Sequence, residues 1–154
     1  MLQPNTLQAG AYIVNSDGSG PVGGVQAAIP FGQDIQILTP PPAAGSILSS
    51  DGTITLMWAG GDPNSTVTVF LISHHPVTNF ATYCRVLASA GRCTLPSVSL
   101  NGEVTTTSQP TQQGELIYQV DPNPASIPFS APGLSLGGQA TWRIQHSFQG
   151  FAIQ

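Results

Sequence analysis

Two alternating runs flanking one turn, Thr53 to Ser73 (TITLMWAGGDPNSTVTVFLIS), constrain this chain more than any other stretch. In the first run Ile54, Leu56 and Trp58 alternate with Thr53, Thr55 and Met57; in the second, Val67, Val69 and Leu71 alternate with Thr66, Thr68 and Phe70. A period of two belongs to strands that turn one face toward a core. Between the runs, Gly60, Gly61, Asp62, Pro63 and Asn64 offer positive φ, a fixed φ and a side-chain acceptor, so the chain can bend without burying backbone polar groups. The expectation is a central hairpin with Trp58 on its inner face.

The same grammar recurs along the chain. Ala9 to Asn15 and Gly24 to Phe31 read as strands around the loop SDGSGPVG, giving a first hairpin. Ile35 to Leu38 gives a short strand. Pro40, Pro41 and Pro42 then mark a boundary or an edge-to-edge crossing, because proline cannot donate to a ladder. Phe80 to Leu87 and Cys93 to Leu95 read as strands about a tight turn at Ser89 to Gly91. Pro96 to Leu100 reads as one helical turn, and Glu103 to Gly114, mostly Thr, Gln and Ser, as a mobile loop. Glu115 to Val120 is a further strand. From Gln139 one long strand is expected, with Ala140, Trp142, Ile144, His146 and Phe148 on its inner face. Abundant Gly and Pro with few good helix formers make all-β the default. Seven or eight short strands point to a two-sheet sandwich with Greek-key connections over residues 34–154, preceded by an N-terminal β-hairpin in residues 1–33 that completes a sheet or belongs to a preceding module.

Charge narrows the partners. The 154-residue chain has no lysine, three arginines (Arg85, Arg92, Arg143), seven carboxylates and a net charge of -4. So few cations cannot neutralise a row of phosphates, so nucleic acid and anionic membrane are poor partners. No run is long and apolar enough to span a bilayer, so membrane insertion is not expected, and no export signal is read at the start. Sparse charge with abundant Thr, Ser and Gly nevertheless suits an extracellular or cell-surface setting, as a monomeric part of a longer exported chain.

The run TLMWAGGDPNSTVTV, followed by a cysteine strand, ASAGRCTLP and FSAPGLSLGG, resembles a largely uncharacterised group of soil-bacterial secreted proteins. Their patterns run T-W-x-G-G-D-P-N-x-x-V-x-I, C-x-A-x-x-x-A-G-x-F-T-V-P and F-x-A-x-G-L-D-x-G. The opening AGAYIVNSDGSGPVG is similar to the group's glycine-rich hairpin. The resemblance implies an immunoglobulin-like module without a catalytic motif. This chain departs from the patterns at Cys93, where an aromatic is usual, and at Ser135, where they have Asp.

The residues that can carry chemistry are few. If Ala88 and Ser89 form a two-residue loop, Cys84 faces Cys93 and a disulfide can close, contributing about 2 to 3 kcal/mol through the loop it ties. That register also sets Arg85 against Arg92, an unfavourable pair, and a longer turn at Ser89 to Gly91 would separate the sulfurs. Two buried free thiols are the alternative. His74 and His75 are adjacent and point to opposite sides of a strand, so they cannot share an ion, and exposed loop histidines are the simpler account. His146 reads as a core or rim imidazole.

Asp17, Asp51, Asp62, Asp121, Glu103 and Glu115 each adjoin a Gly or a Pro, and turn chemistry explains them; only Asp34 lacks that account. No pair resembles the two carboxyls of a glycosidase, and no hydrolase or zinc motif is present in the sequence. No metal or cofactor is expected. Asn64-Ser65-Thr66 is a glycosylation sequon better explained as the turn. Trp58 and Trp142 belong to inner faces, while Tyr12, Tyr83 and Tyr118 are open. The expected role is a non-catalytic structural or adhesive module whose partners are neighbouring modules or an extracellular surface ligand, touched by the loops Ser73 to Asn79 and Glu103 to Gly114. The alternative is a carbohydrate-binding accessory module of a secreted hydrolase, which exposed aromatics would favour. An enzyme would require a cleft that brings His74 or His75 to a buried carboxylate.

Overall fold

Runs of Val, Thr and Ile with one apolar face cannot stand alone, and here they settle into several sheets around a shared interior. The structure, a computed structural model, describes residues 8–18, 24–48, 52–74, 80–96, 112–129 and 137–153. Among them the strands in chain order are β1 (Gly10–Ser16), β2 (Val25–Phe31), β3 (Ile35–Ile37), β4 (Ile47–Leu48), β5 (Ile54–Gly60), β6 (Thr66–His74), β7 (Phe80–Leu87), β8 (Arg92–Leu95), β9 (Gln112–Asp121), β10 (Ile127–Phe129), β11 (Gly138–Ala140) and β12 (Ile144–Ile153). One sheet has the order β4-β12-β9-β6-β7 and a second β3-β5-β8, with β1-β2 and β10-β11 as separate antiparallel pairs. The only helical element among the described residues is a 3-10 turn at Ala88–Ala90.

The inner faces meet. From the three-stranded sheet come Ile35, Leu56, Trp58, Cys93 and Leu95; from the five-stranded sheet come Val67, Val69, Leu71, Leu116, Tyr118 and Val120, all in one buried cluster. Register explains the sorting, since Val67 pairs with Val120, Val69 with Tyr118 and Leu71 with Leu116, so each rung delivers two side chains to the same side.

The expected central hairpin does not form. β5 pairs with β3 and β8, whereas β6 pairs with β7 and β9. The two alternating runs face one another across the core instead of lying side by side. Two apolar faces of this size bury more by opposing each other than by sharing one wet ribbon. The GGDPN segment is therefore an arch between sheets. Gly60 and Gly61 take φ of +73° and +82°, Asp62 Oδ1 accepts the Asn64 N–H at 3.0 Å, and Asp62 O accepts the Ser65 N–H at 2.9 Å.

Two further expectations change. The chain from β7 to β8 is also a crossing between sheets, turned by the 3-10 segment and ended by Gly91 at φ +65°. The anticipated long terminal strand is split, because residues 141–143 leave the ladder between β11 and β12. Trp142 is responsible: its ring lies 5.1 Å from Phe31 and covers Gly32, where a Cβ would stand 2.5 Å from the indole. It thus joins the first hairpin to the core instead of lying on a strand face. The hairpin itself forms as expected, Gly10 opposite Phe31 through Ser16 opposite Val25. The proline-rich segment after β3 crosses from one sheet to the edge strand β4, which runs parallel to β12 and was not anticipated. Of the expected loops, Ser73 and His74 belong instead to β6 and residues 112–114 to β9, where they pair in the ladder; residues 75–79 and 103–111, and the expected helical turn apart from Pro96, lie outside the described residues.

Candidate functional site

The outward face of the five-stranded sheet gathers most of the polar chemistry, because every second residue of β6, β9 and β12 must point there. At one end, His74 on β6 and Glu115 on β9 approach to 3.3 Å. Ser147 Oγ and Gln149 Nε2, both on β12, each donate to Glu115 Oε1 at 2.7 Å. Glu115, expected to open a strand directly after a glycine turn, lies inside β9, which already begins at Gln112. Gly114 has a different reason to be there: a Cβ at that position would run into the Phe151 ring. Next to the cluster a cleft of about 890 Å³ opens, lined by Ser46, Ile47, His74, Gln113 and Gly150 among others.

The donors from Gln149 and Ser147 hold Glu115 below the ordinary carboxyl range, with His74 adding to the effect and partial burial opposing it. A carboxylate whose charged form is favoured in this way is a weaker base than a free one and, at neutral pH, carries no proton to give. The order of groups also differs from that of a nucleophile triad, in which the imidazole stands between serine and carboxylate. Here the carboxylate stands between Ser147 and His74, so the imidazole has no serine proton to take.

His146 Nε2 meets Asp34 Oδ2 at 2.9 Å, and Asp34 Oδ1 also accepts the Ile35 N–H at 2.7 Å. Asp34, the carboxylate without a turn rationale, thereby ties the start of β3 to β12. Asp62 caps its own arch, and Asp17 is exposed beside Gly18. Asp51, Glu103 and His75 lie outside the described residues. Among the described residues no three His, Cys, Asp or Glu side chains converge on a metal position.

Comparison with protein-family models, curated proteins and solved structures found no match.

The remaining candidates sort by burial. Trp58 and Trp142 are 2% and 7% exposed, and Trp58 Nε1 donates to Ala88 O at 3.0 Å. Tyr118 is fully buried, and desolvation lifts its hydroxyl to about 12. Tyr12 donates to Gln8 O at 2.7 Å. Tyr83 is the most exposed of the three tyrosines, at 63%. Cys84 and Cys93 are joined as a disulfide with Cα atoms 6.3 Å apart, each on the inner side of a different sheet. Two objections raised by a hairpin register fall away with that register. Arg85 and Arg92 lie on different sheets and do not oppose one another, and the longer turn brings the sulfurs together instead of parting them.

Proposed function

We propose that this chain is a non-catalytic structural or adhesive module with an immunoglobulin-like sandwich, part of an exported bacterial multidomain or surface protein. The observation that carries the reading is the burial of both indoles, which spends the two largest aromatic surfaces on the core and leaves neither for a ligand. The strand order supports the fold assignment, in which β5 and β8 would take the places of strands B and E of one sheet and β6, β9 and β12 those of C, F and G of the other. The chain crosses between the two sheets from β5 to β6, from β7 to β8 and from β8 to β9, the kind of connection a Greek key uses. The disulfide departs from the antibody pattern, joining β7 to β8 in place of a B–F bridge. Against catalysis stands the hydrogen-bonded state of Glu115, a carboxylate that a histidine reaches beside a cleft and whose Oε1 already accepts from Ser147 and Gln149.

The experiment is retention without turnover. The chain coupled to beads is assayed for binding to bacterial envelope and matrix polysaccharides, in parallel with chromogenic glycosides and esters. Retention with no product is the expected result. Turnover abolished by Glu115→Ala would overturn the reading.

The runner-up, a carbohydrate-binding accessory module of a secreted hydrolase, draws on one observation, the exposure of Tyr83. Retention of a soluble hydrolase's own substrate by the isolated chain, together with faster hydrolysis when the two are fused, would favour it.

A further inference from the structure

The outward face of the five-stranded sheet is not uniformly polar. Arg85, Thr68 and Gln119 form one rung across β7, β6 and β9, and Tyr83, Phe70 and Ile117 form the next. Tyr83 leans on Phe70 with ring centroids 5.9 Å apart, so the exposed ring is propped from one side. Ala125, Thr141 and Arg143 rise beside these rungs and close a groove of about 310 Å³. That is the lower end of the range in which small-molecule sites are found, about 300 to 1,000 Å³.

Charge singles out the groove. Of the three cations in the chain, Arg85 and Arg143 both line it. Arg143 Nε is engaged at 2.7 Å by Asp121 Oδ1, whose other oxygen accepts from Gln119 Nε2 at 2.6 Å. Arg85 has no ion-pair partner among the described residues.

We propose that this groove binds a hexuronate unit of an anionic polysaccharide. The proposal rests on the adhesive reading and names its ligand class. The apolar face of the pyranose stacks on Tyr83, the sugar carboxylate takes the guanidinium fork of Arg85, and ring hydroxyls donate to Asp121 and accept from Gln119. A guanidinium matches a carboxylate with two parallel hydrogen bonds, a geometry a neutral sugar leaves unused. A densely sulfated chain is disfavoured, because a protein of net charge -4 with two groove cations cannot offset several anions per disaccharide. One carboxylate per stacked ring is the charge density that the site can meet.

The test is calorimetric titration of the full chain with tetragalacturonate and with its fully methyl-esterified form. The acid should bind, and the ester should bind at least about tenfold more weakly. Tyr83→Ala and Arg85→Gln should each weaken binding of the acid by about tenfold or more while the far-UV circular dichroism spectrum stays that of the parent, and Arg85→Gln, which breaks no ion pair among the described residues, should also keep the parent's melting temperature. Arg92→Gln, which removes the cation on the other sheet, should bind as the parent does. Absence of binding to the acid, equal binding of the ester, or parental binding by Arg85→Gln would each overturn the proposal. The adhesive reading fails separately: an oligomer that is bound and then shortened would support the groove and refute the non-catalytic role, whereas an oligomer that is not bound removes the groove alone.

Discussion

Reduction of the Cys84–Cys93 disulfide, which joins β7 of one sheet to β8 of the other, should weaken the fold by a calculable amount. The cysteines are separated by 9 positions, so the bridge closes a ten-residue loop. Chain entropy then gives about 2.7 kcal/mol at room temperature, from 2.1 cal/mol/K plus the logarithmic loop term. For a domain of this length, that corresponds to a fall of roughly 5 to 11 °C in Tm. Mild reduction isolates the cross-link, because both sulfurs stay in place and Cys93 remains in the core. Urea unfolding with and without a phosphine reductant reads the difference, and thiol titration of the native, unreduced protein counts free sulfhydryls. No free thiol and a lowered urea midpoint are expected. Two free thiols, or a midpoint indifferent to reductant, would refute the reasoning.

Three other perturbations test the packing and two ionisable groups. Gly114→Ala places a methyl group against the Phe151 ring and should destabilise by about 1 to 3 kcal/mol in urea melts, as overpacking does. Glu115 has a lowered pKa when folded, so the unfolded chain binds more protons in the acid range. Its stabilisation is complete above the ordinary Glu value and is lost as pH falls through the folded value. The urea midpoint of Glu115→Gln should accordingly fall less steeply between about pH 5 and 3 than the parent's; identical slopes would argue against it. Tyr118, raised to about 12 by burial, favours folding fully below the unfolded tyrosine value near 10 and loses that contribution as pH climbs toward 12. The parent should lose on the order of 1 kcal/mol per pH unit above about 10, and Tyr118→Phe should not. At neutral pH the phenylalanine variant should differ from the parent by no more than about 1 kcal/mol, since the hydroxyl has no hydrogen-bond partner among the described residues.

Parity along each strand was readable from local order alone. Trp58, Val67, Val69 and Leu71 fall on the inner side, and Thr68 and Phe70 on the outer, because side chains alternate whatever the strand pairs with. The all-β class followed from the same alternation and from the scarcity of helix formers. The outer groove was half-legible: the phase of Phe70 already set it opposite to Val69, but nothing local told that Tyr83 would stand beside it.

Which strand lies beside which was decided only by the three-dimensional fold. The GGDPN turn suits a hairpin and an arch equally, and the choice depends on whether the two apolar faces bury more against each other than against water. Glu115 shows the same limit at a single residue. Its preceding glycine suggested a turn, yet that glycine exists to admit the Phe151 ring from a strand more than thirty residues away. Local composition dictates how a backbone bends and which way a side chain faces; its neighbours come from the closing of distant segments over a common core, a many-body contest that no window of adjacent residues contains.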